Sequence, residues 1–197
     1  VDHWLRLLEF ARSGGWVMMP LGVASVLMWT LIVERVMTFR RLARRDLGIQ
    51  DAVHAVQGQP VNVFGVGMRA TLVRAFISRK TGKPDLDKRI LSECALNLRP
   101  QISRNLSVIA VLGSIAPLLG LLGTVSGMIT TFTVIASVGT GNARPLAGGI
   151  SEALIATEAG LLVAIPGLLV SASLSRRATR MLHHLDQTTL VLEHHVR

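Results

Sequence analysis

Residues Leu146 to Leu174 read LAGGISEALIATEAGLLVAIPGLLVSASL. The stretch is long and apolar enough to cross a bilayer, which takes about 20 residues, yet it holds two carboxylates, Glu152 and Glu158, and is interrupted by Pro166. An ionisable side chain inside a membrane span costs about 2.5 kcal/mol or more, so it marks a functional position by default.

A helical wheel at roughly 100° per residue sorts the stretch by size. Gly148, Gly149, Glu152, Ala153, Ala156, Ala159, Gly160, Ala164, Gly167 and Ser171 share one half, with Thr157 at its edge. Ile150, Leu154, Ile155, Leu161, Leu162, Ile165, Leu168 and Leu169 take the other. Apolar surface gains nothing by leaving lipid tails, so a face of small residues serves close approach of backbones. Glu152 therefore points into a helix–helix contact or a pore. Glu158 falls among the large residues and calls for a neutral side chain or a polar partner, at the first span or on a neighbouring subunit.

A second apolar run, Leu106 to Val138, has the same device: Gly113, Ala116, Gly120, Gly123, Thr124, Gly127, Thr130 and Thr131 share about a third of the circumference. A third run, Trp16 to Val33, is free of charge, with Trp16 and Trp29 near its ends and Pro20 where a ring is tolerated. It is too long for a cleavable signal segment and is expected to remain as an anchor.

Composition agrees with a membrane protein. Half of the 197 residues are hydrophobic and 17% are charged. Aromatics are 4%, with no Tyr, which argues against base-stacking surfaces. The formal net charge of +9 would suggest nucleic acid on a soluble module. Here the basic residues flank apolar spans, and topology explains them better. The single cysteine, Cys94, excludes an internal disulfide and reads as a small core residue.

The expected organisation is an all-α integral membrane protein: an amphipathic interfacial helix over 1–15, transmembrane helices over 16–39, 105–138 and 146–175, a cytoplasmic helical bundle over 40–104, a short hairpin over 139–145 and a cytoplasmic C-terminal helix over 176–197. Amphipathic spacing over Leu72, Val73, Phe76 and Ile77, and over Leu86, Ile90, Leu91, Cys94, Ala95, Leu98 and Ile102, supports the bundle. Arg35, Arg40, Arg41, Arg44 and Arg45 form a juxtamembrane cluster read as a solvated intracellular face, with anionic-lipid contact at Arg40, Arg41, Arg44 and Arg45 compatible. Lys and Arg crowd the long loop and the tail, so the N-terminus is expected outside and the C-terminus in the cytoplasm.

The motifs APLLGLLGTVSGMITTF (116–132) and LAGGISEALIATEAGLLVAIP (146–166) resemble the MotA/TolQ/ExbB proton-channel proteins, in their three-span ExbB and TolQ form. The resemblance implies a homopentamer in a bacterial inner membrane, around a dimer of single-span ExbD- or TolR-type partners, with a TonB- or TolA-type protein receiving the work. It implies that Glu152 is the essential glutamate and that Thr124 and Thr157 are the pore threonines. Glu158 departs from the pattern, which has small apolar residues there, and stands as a second intramembrane carboxylate. An ExbB-like role in nutrient import is the leading expectation; a TolQ-like envelope role and a non-conducting scaffold are the rivals.

Read without the resemblance, the two threonines could equally bond the carbonyl a turn back, as membrane-helix Ser and Thr often do. Gly113, Gly120, Gly123, Gly127, Gly148, Gly149, Gly160 and Gly167 are packing devices first. No phosphate loop, catalytic triad or metal motif is present in the sequence, so neither an enzyme, a cofactor nor a metal site is expected. The pairs His183-His184 and His194-His195 read as polar tail surface.

Overall fold

The computed structural model describes residues 14–43, 46–59, 65, 67–139 and 143–196. The amphipathic segment expected at 1–15 lies outside them except for Gly14 and Gly15, as do Arg44, Arg45 and the hairpin tip at 140–142.

Regular structure among the described residues is helical: α1 Met18–Ala43, α2 Ile49–Val56, α3 Met68–Ile77, α4 Pro84–Ser103, α5 Leu106–Val138 and α6 Ala143–His195. Three of these, α1, α5 and α6, contain stretches long and apolar enough to cross a membrane. Pro84 starts α4, where its missing N–H costs nothing.

One boundary differs from the sequence reading. The third span and the C-terminal helix, expected as separate pieces meeting at 175/176, are one helix of 53 residues. Pro166 sits inside it, as Pro117 does inside α5. A proline removes one backbone hydrogen bond, and in a span packed against neighbours that loss is absorbed without ending the helix.

The chain forms two compact units. In the first, made of the described residues up to Ile32 and of Ser107–Ala172, the interior is built from small side chains: Ala116, Ala153, Ala156, Ala159 and Ala164 are buried, with Leu21 and Met28 of α1. The large side chains turn outward, Leu118 and Leu162 both 62% exposed and Leu169 68%. In water this arrangement would waste apolar area; among lipid tails it costs nothing and lets backbones meet.

The second unit, Val33–Leu106 with Ser173–Arg197, has an ordinary hydrophobic core. Leu72, Val73 and Phe76 of α3, Leu91, Cys94, Leu98 and Ile102 of α4, and Leu185 and Leu192 of α6 are buried. Ile77 and Leu86, expected on the inward faces, are exposed; each lies in the terminal turn of its helix. Polar ties brace the core: Arg99 donates to Asp186 at 2.6 Å, Arg69 Nε to Thr188 Oγ1 at 3.3 Å, and Ser92 to Glu193.

Two charged residues in this unit are buried. Asp87 accepts from Thr81 N–H at 2.7 Å, Thr81 O–H at 2.8 Å and Gly82 N–H at 3.0 Å, clamping the turn that leads into α4. The Thr81 backbone N–H, aided by the Thr81 hydroxyl, the Gly82 N–H and Lys80, holds its carboxyl below the ordinary range despite burial. Arg35 is the other, and here the reading of a solvated cluster needs correction. Its side chain is 3% exposed, donating to Gln101 O at 3.0 Å and Glu34 Oε1 at 3.2 Å, while Glu34 Oε2 accepts from Asn105 at 3.2 Å. It pins α1 to the turn between α4 and α5 instead of facing water.

Candidate functional site

The first unit holds every residue singled out for ion passage. Its centre is an antiparallel contact between the small faces of α5 and α6. A Cβ placed on Gly120 would stand 3.0 Å from Ala156 O and 3.2 Å from Thr157 Cα; one on Gly127 would stand 2.8 Å from Gly149 O; one on Gly160, 2.9 Å from Ala116 O. Gly123 abuts Ala156, Gly149 abuts Thr131, and Gly113 meets Leu168. Gly167 takes the side chain of Met28 from α1. A Cβ on Gly148 would meet nothing within 4 Å among the described residues.

This register sets the levels of the polar residues. Gly123 faces Ala156, so in this antiparallel register Thr124 stands near the level of Ile155, between Glu152 and Thr157 along α6. Both threonines are partly buried. Thr124 Oγ1 donates to Leu121 O at 2.7 Å and Thr157 Oγ1 to Ala153 O at 3.3 Å. The backbone bonds anticipated for them are made, and each hydroxyl oxygen keeps acceptor capacity for water or a proton carrier. Thr131, on the same small arc and buried, does the same, donating to Gly127 O at 2.9 Å.

Glu152 lies five residues before Thr157, about 7.5 Å along the helix axis. It is partly buried, and its carboxylate rests against the backbone of Gly15, where a side chain at that position would begin. Gly15 also has φ +73°, a conformation that L side chains rarely adopt. Among the described residues no hydrogen bond or ion pair reaches this carboxylate. Among the described residues it is held by packing alone.

Sequence reasoning missed Gly15. Gly15 closes the segment expected as an interfacial helix over 1–15, and its contact with the third span depends on tertiary placement. Trp16, near the end of its apolar run, donates from Nε1 to Ser126 Oγ at 3.3 Å, tying the entry of α1 to α5.

Glu158 is exposed on the surface of the chain, and among the described residues no hydrogen bond or ion pair reaches it. The first span does not cover it.

The arrangement is thus a contact of glycine ridges between apolar helices, carrying a carboxylate with no partner among the described residues and two threonines within about a turn of each other. The sequence pattern of the MotA/TolQ/ExbB proton channel family matches residues 60–187. The chain belongs to this family. Among its relatives are the biopolymer transport protein exbB1 of Vibrio cholerae, 32% identical over 92% of this chain and 85% of that protein, and the biopolymer transport protein ExbB of Salmonella typhimurium, 30% identical over 78% and 69%. The Tol-Pal system protein TolQ of Pseudomonas aeruginosa is 29% identical over 92% and 88%. The family match takes in α3, α4, α5 and most of α6, so it covers both halves of the glycine contact. Family members are transport subunits rather than enzymes, and the three apolar helices make this one a multi-pass inner-membrane protein.

Proposed function

We propose that the chain is the proton-conducting collar subunit of an inner-membrane complex that turns proton motive force into work on the outer membrane. Five copies surround a dimer of ExbD- or TolR-type single-span partners, and a TonB- or TolA-type protein receives the movement. The N-terminus lies in the periplasm, the 40–104 loop and the tail in the cytoplasm. The juxtamembrane arginines Arg40, Arg41, Arg44 and Arg45 meet anionic lipid.

The observation that carries this reading is Glu152: a carboxylate on the small-residue face of a span, held against Gly15 with no partner for its oxygens among the described residues. A structural carboxylate in such a place would be expected to have a committed donor. Glu152 accepts and releases protons, and Thr124 and Thr157, within about one helical turn of each other along the contact and with free acceptor capacity, support the water chain beside the partner. One charge crossing 100 mV releases about 2.3 kcal/mol, so a few protons per step suffice for a rotation of the partner.

The leading assignment is ExbB-like, serving TonB-dependent nutrient import. A TolQ-like role in the envelope is favoured by one observation, the similarity to TolQ over the same 92% of the chain that aligns with exbB1. Purification of the complex from its own membrane and identification of what accompanies it tests both. An ExbD-type partner supports the first, a TolR-type partner the second, and recovery of the oligomer with no single-span partner would contradict the proposal.

A further inference from the structure

The second unit carries a charge imbalance at one place. Arg40 and Arg41 on α1, and Arg176, Arg177 and Arg180 on α6, are exposed, and among the described residues none has a carboxylate within ion-pair distance. The three ion pairs that the described residues make involve Arg35, Arg79 and Arg99. The five uncompensated guanidiniums all follow within eight residues of the last apolar positions of their runs, Val33 and Leu174. They stand where a helix leaves a bilayer.

Two of them are organised around a cleft. Arg177 and Arg180 line an open cavity of about 360 Å³ whose remaining walls are Phe39, Ala43 and Met181. Arg180 spends its Nε–H on the carbonyl of Arg176 at 3.4 Å, which leaves its terminal nitrogens available. The lining is thus cationic on one side and apolar on the other, with no carboxylate among the described residues. A free inorganic anion would use the guanidiniums and leave the Phe39 and Met181 walls unsatisfied. A phospholipid uses both.

We infer that the cleft between Phe39, Ala43, Met181, Arg177 and Arg180 is a binding site for an anionic phospholipid, its phosphate on the two arginines and its glycerol and upper acyl region against the apolar wall. Arginine suits this task because its planar fork bonds phosphate oxygens in pairs. The site differs from the diffuse basic surface of Arg40 and Arg41 in having a shape. The inference depends on membrane insertion, and on the proposed orientation only for which leaflet supplies the lipid; it does not depend on proton conduction.

The full-length oligomer, with whatever partner accompanies it, is placed in nanodiscs of phosphatidylcholine containing graded phosphatidylglycerol, and retained lipid is counted by native mass spectrometry. Phosphatidylglycerol should be retained over phosphatidylcholine. R177Q and R180Q should each weaken that retention about fivefold, the factor corresponding to ~1 kcal/mol per basic residue near an anionic surface. R177K/R180K, which keeps the charge but loses the paired bonding of the planar fork, should retain more lipid than R177Q/R180Q and less than the wild type. Added inorganic phosphate should not displace the lipid. Equal retention of the two lipids, indifference to R177Q/R180Q, retention in R177K/R180K no better than in R177Q/R180Q, or displacement by phosphate would each overturn the inference.

Discussion

The carboxylate of Glu152 occupies the space beside the backbone of Gly15 that any other residue would need for its side chain. Gly15 is fixed twice over, by this contact and by its φ of +73°. Gly139 has the same φ of +73° with nothing within 4 Å of a would-be side chain, so it isolates the backbone contribution. Alanine at either site meets a left-handed backbone penalty of about 1–2 kcal/mol. At Gly15 it also displaces Glu152. Proton flux through the reconstituted complex should therefore fall severalfold or more in Gly15→Ala and stay near wild type in Gly139→Ala; equal fluxes in the two variants would show that the contact has no bearing on conduction.

Asp87 makes a pH-dependent contribution to the second unit. Its carboxyl titrates below the ordinary value because the folded turn donates three hydrogen bonds to the ionised form. A depressed folded pKa means that the stabilisation is complete above the unfolded pKa, about 3.9, and fades as pH falls through the folded one. Asp87→Asn turns an amide NH2 toward donors that need an acceptor, and should lower the melting temperature of the solubilised protein at pH 7. The difference from wild type should narrow near pH 3. A gap independent of pH would mean that Asp87 acts through shape alone.

Much of the membrane unit was legible in the sequence because small and large residues alternate with helical period. Gly120, Gly123, Gly127, Gly149 and Gly160 could be assigned to a contact face from the wheel, and the structure pairs them across α5 and α6. The continuity of α6 was not legible: Pro166 and the onset of arginines after Leu174 both look like boundaries, whereas one is a tolerated loss of a hydrogen bond and the other a change of solvent. Arg35 looked like its neighbours Arg40 and Arg41 by composition; its burial depends on Gln101 and Glu34 being in reach, which spacing does not reveal. Gly15 against Glu152 belongs to the same class of long-range placement.

Glu158 poses a question that a single chain leaves for the assembly. An exposed carboxylate among Leu154, Leu161, Leu162 and Ile165 would face acyl chains at a cost of about 2.5 kcal/mol or more if left charged. A neighbouring subunit is expected to cover it and supply a polar partner. If its role is structural, Glu158→Gln should preserve both the oligomer and proton-driven activity, since an amide can donate and accept. Inactivation by Gln with partial function in Glu158→Asp would instead identify a second proton-accepting position. A structure of the oligomer with Glu158 bare to lipid would defeat both.

The orientation is open to direct measurement in cells. A cysteine introduced at Asn142 should react with an impermeant thiol reagent added outside, and one at Gly82 should not. Native Cys94 is 3% exposed and its thiol is pushed up by burial, so it should give little background. The opposite labelling pattern would reverse the proposed sidedness.

The central claim is that Glu152 carries protons, and proton flux driven by an imposed potential across proteoliposomes containing the complex tests it most directly. Glu152→Ala and Glu152→Gln should assemble with the wild-type oligomeric mass, because replacing a carboxylate on a small-residue face removes a desolvation cost without opening the α5–α6 contact. Both should conduct at background level. Wild-type flux in an assembled Glu152→Ala complex would contradict the account and leave a scaffold in its place.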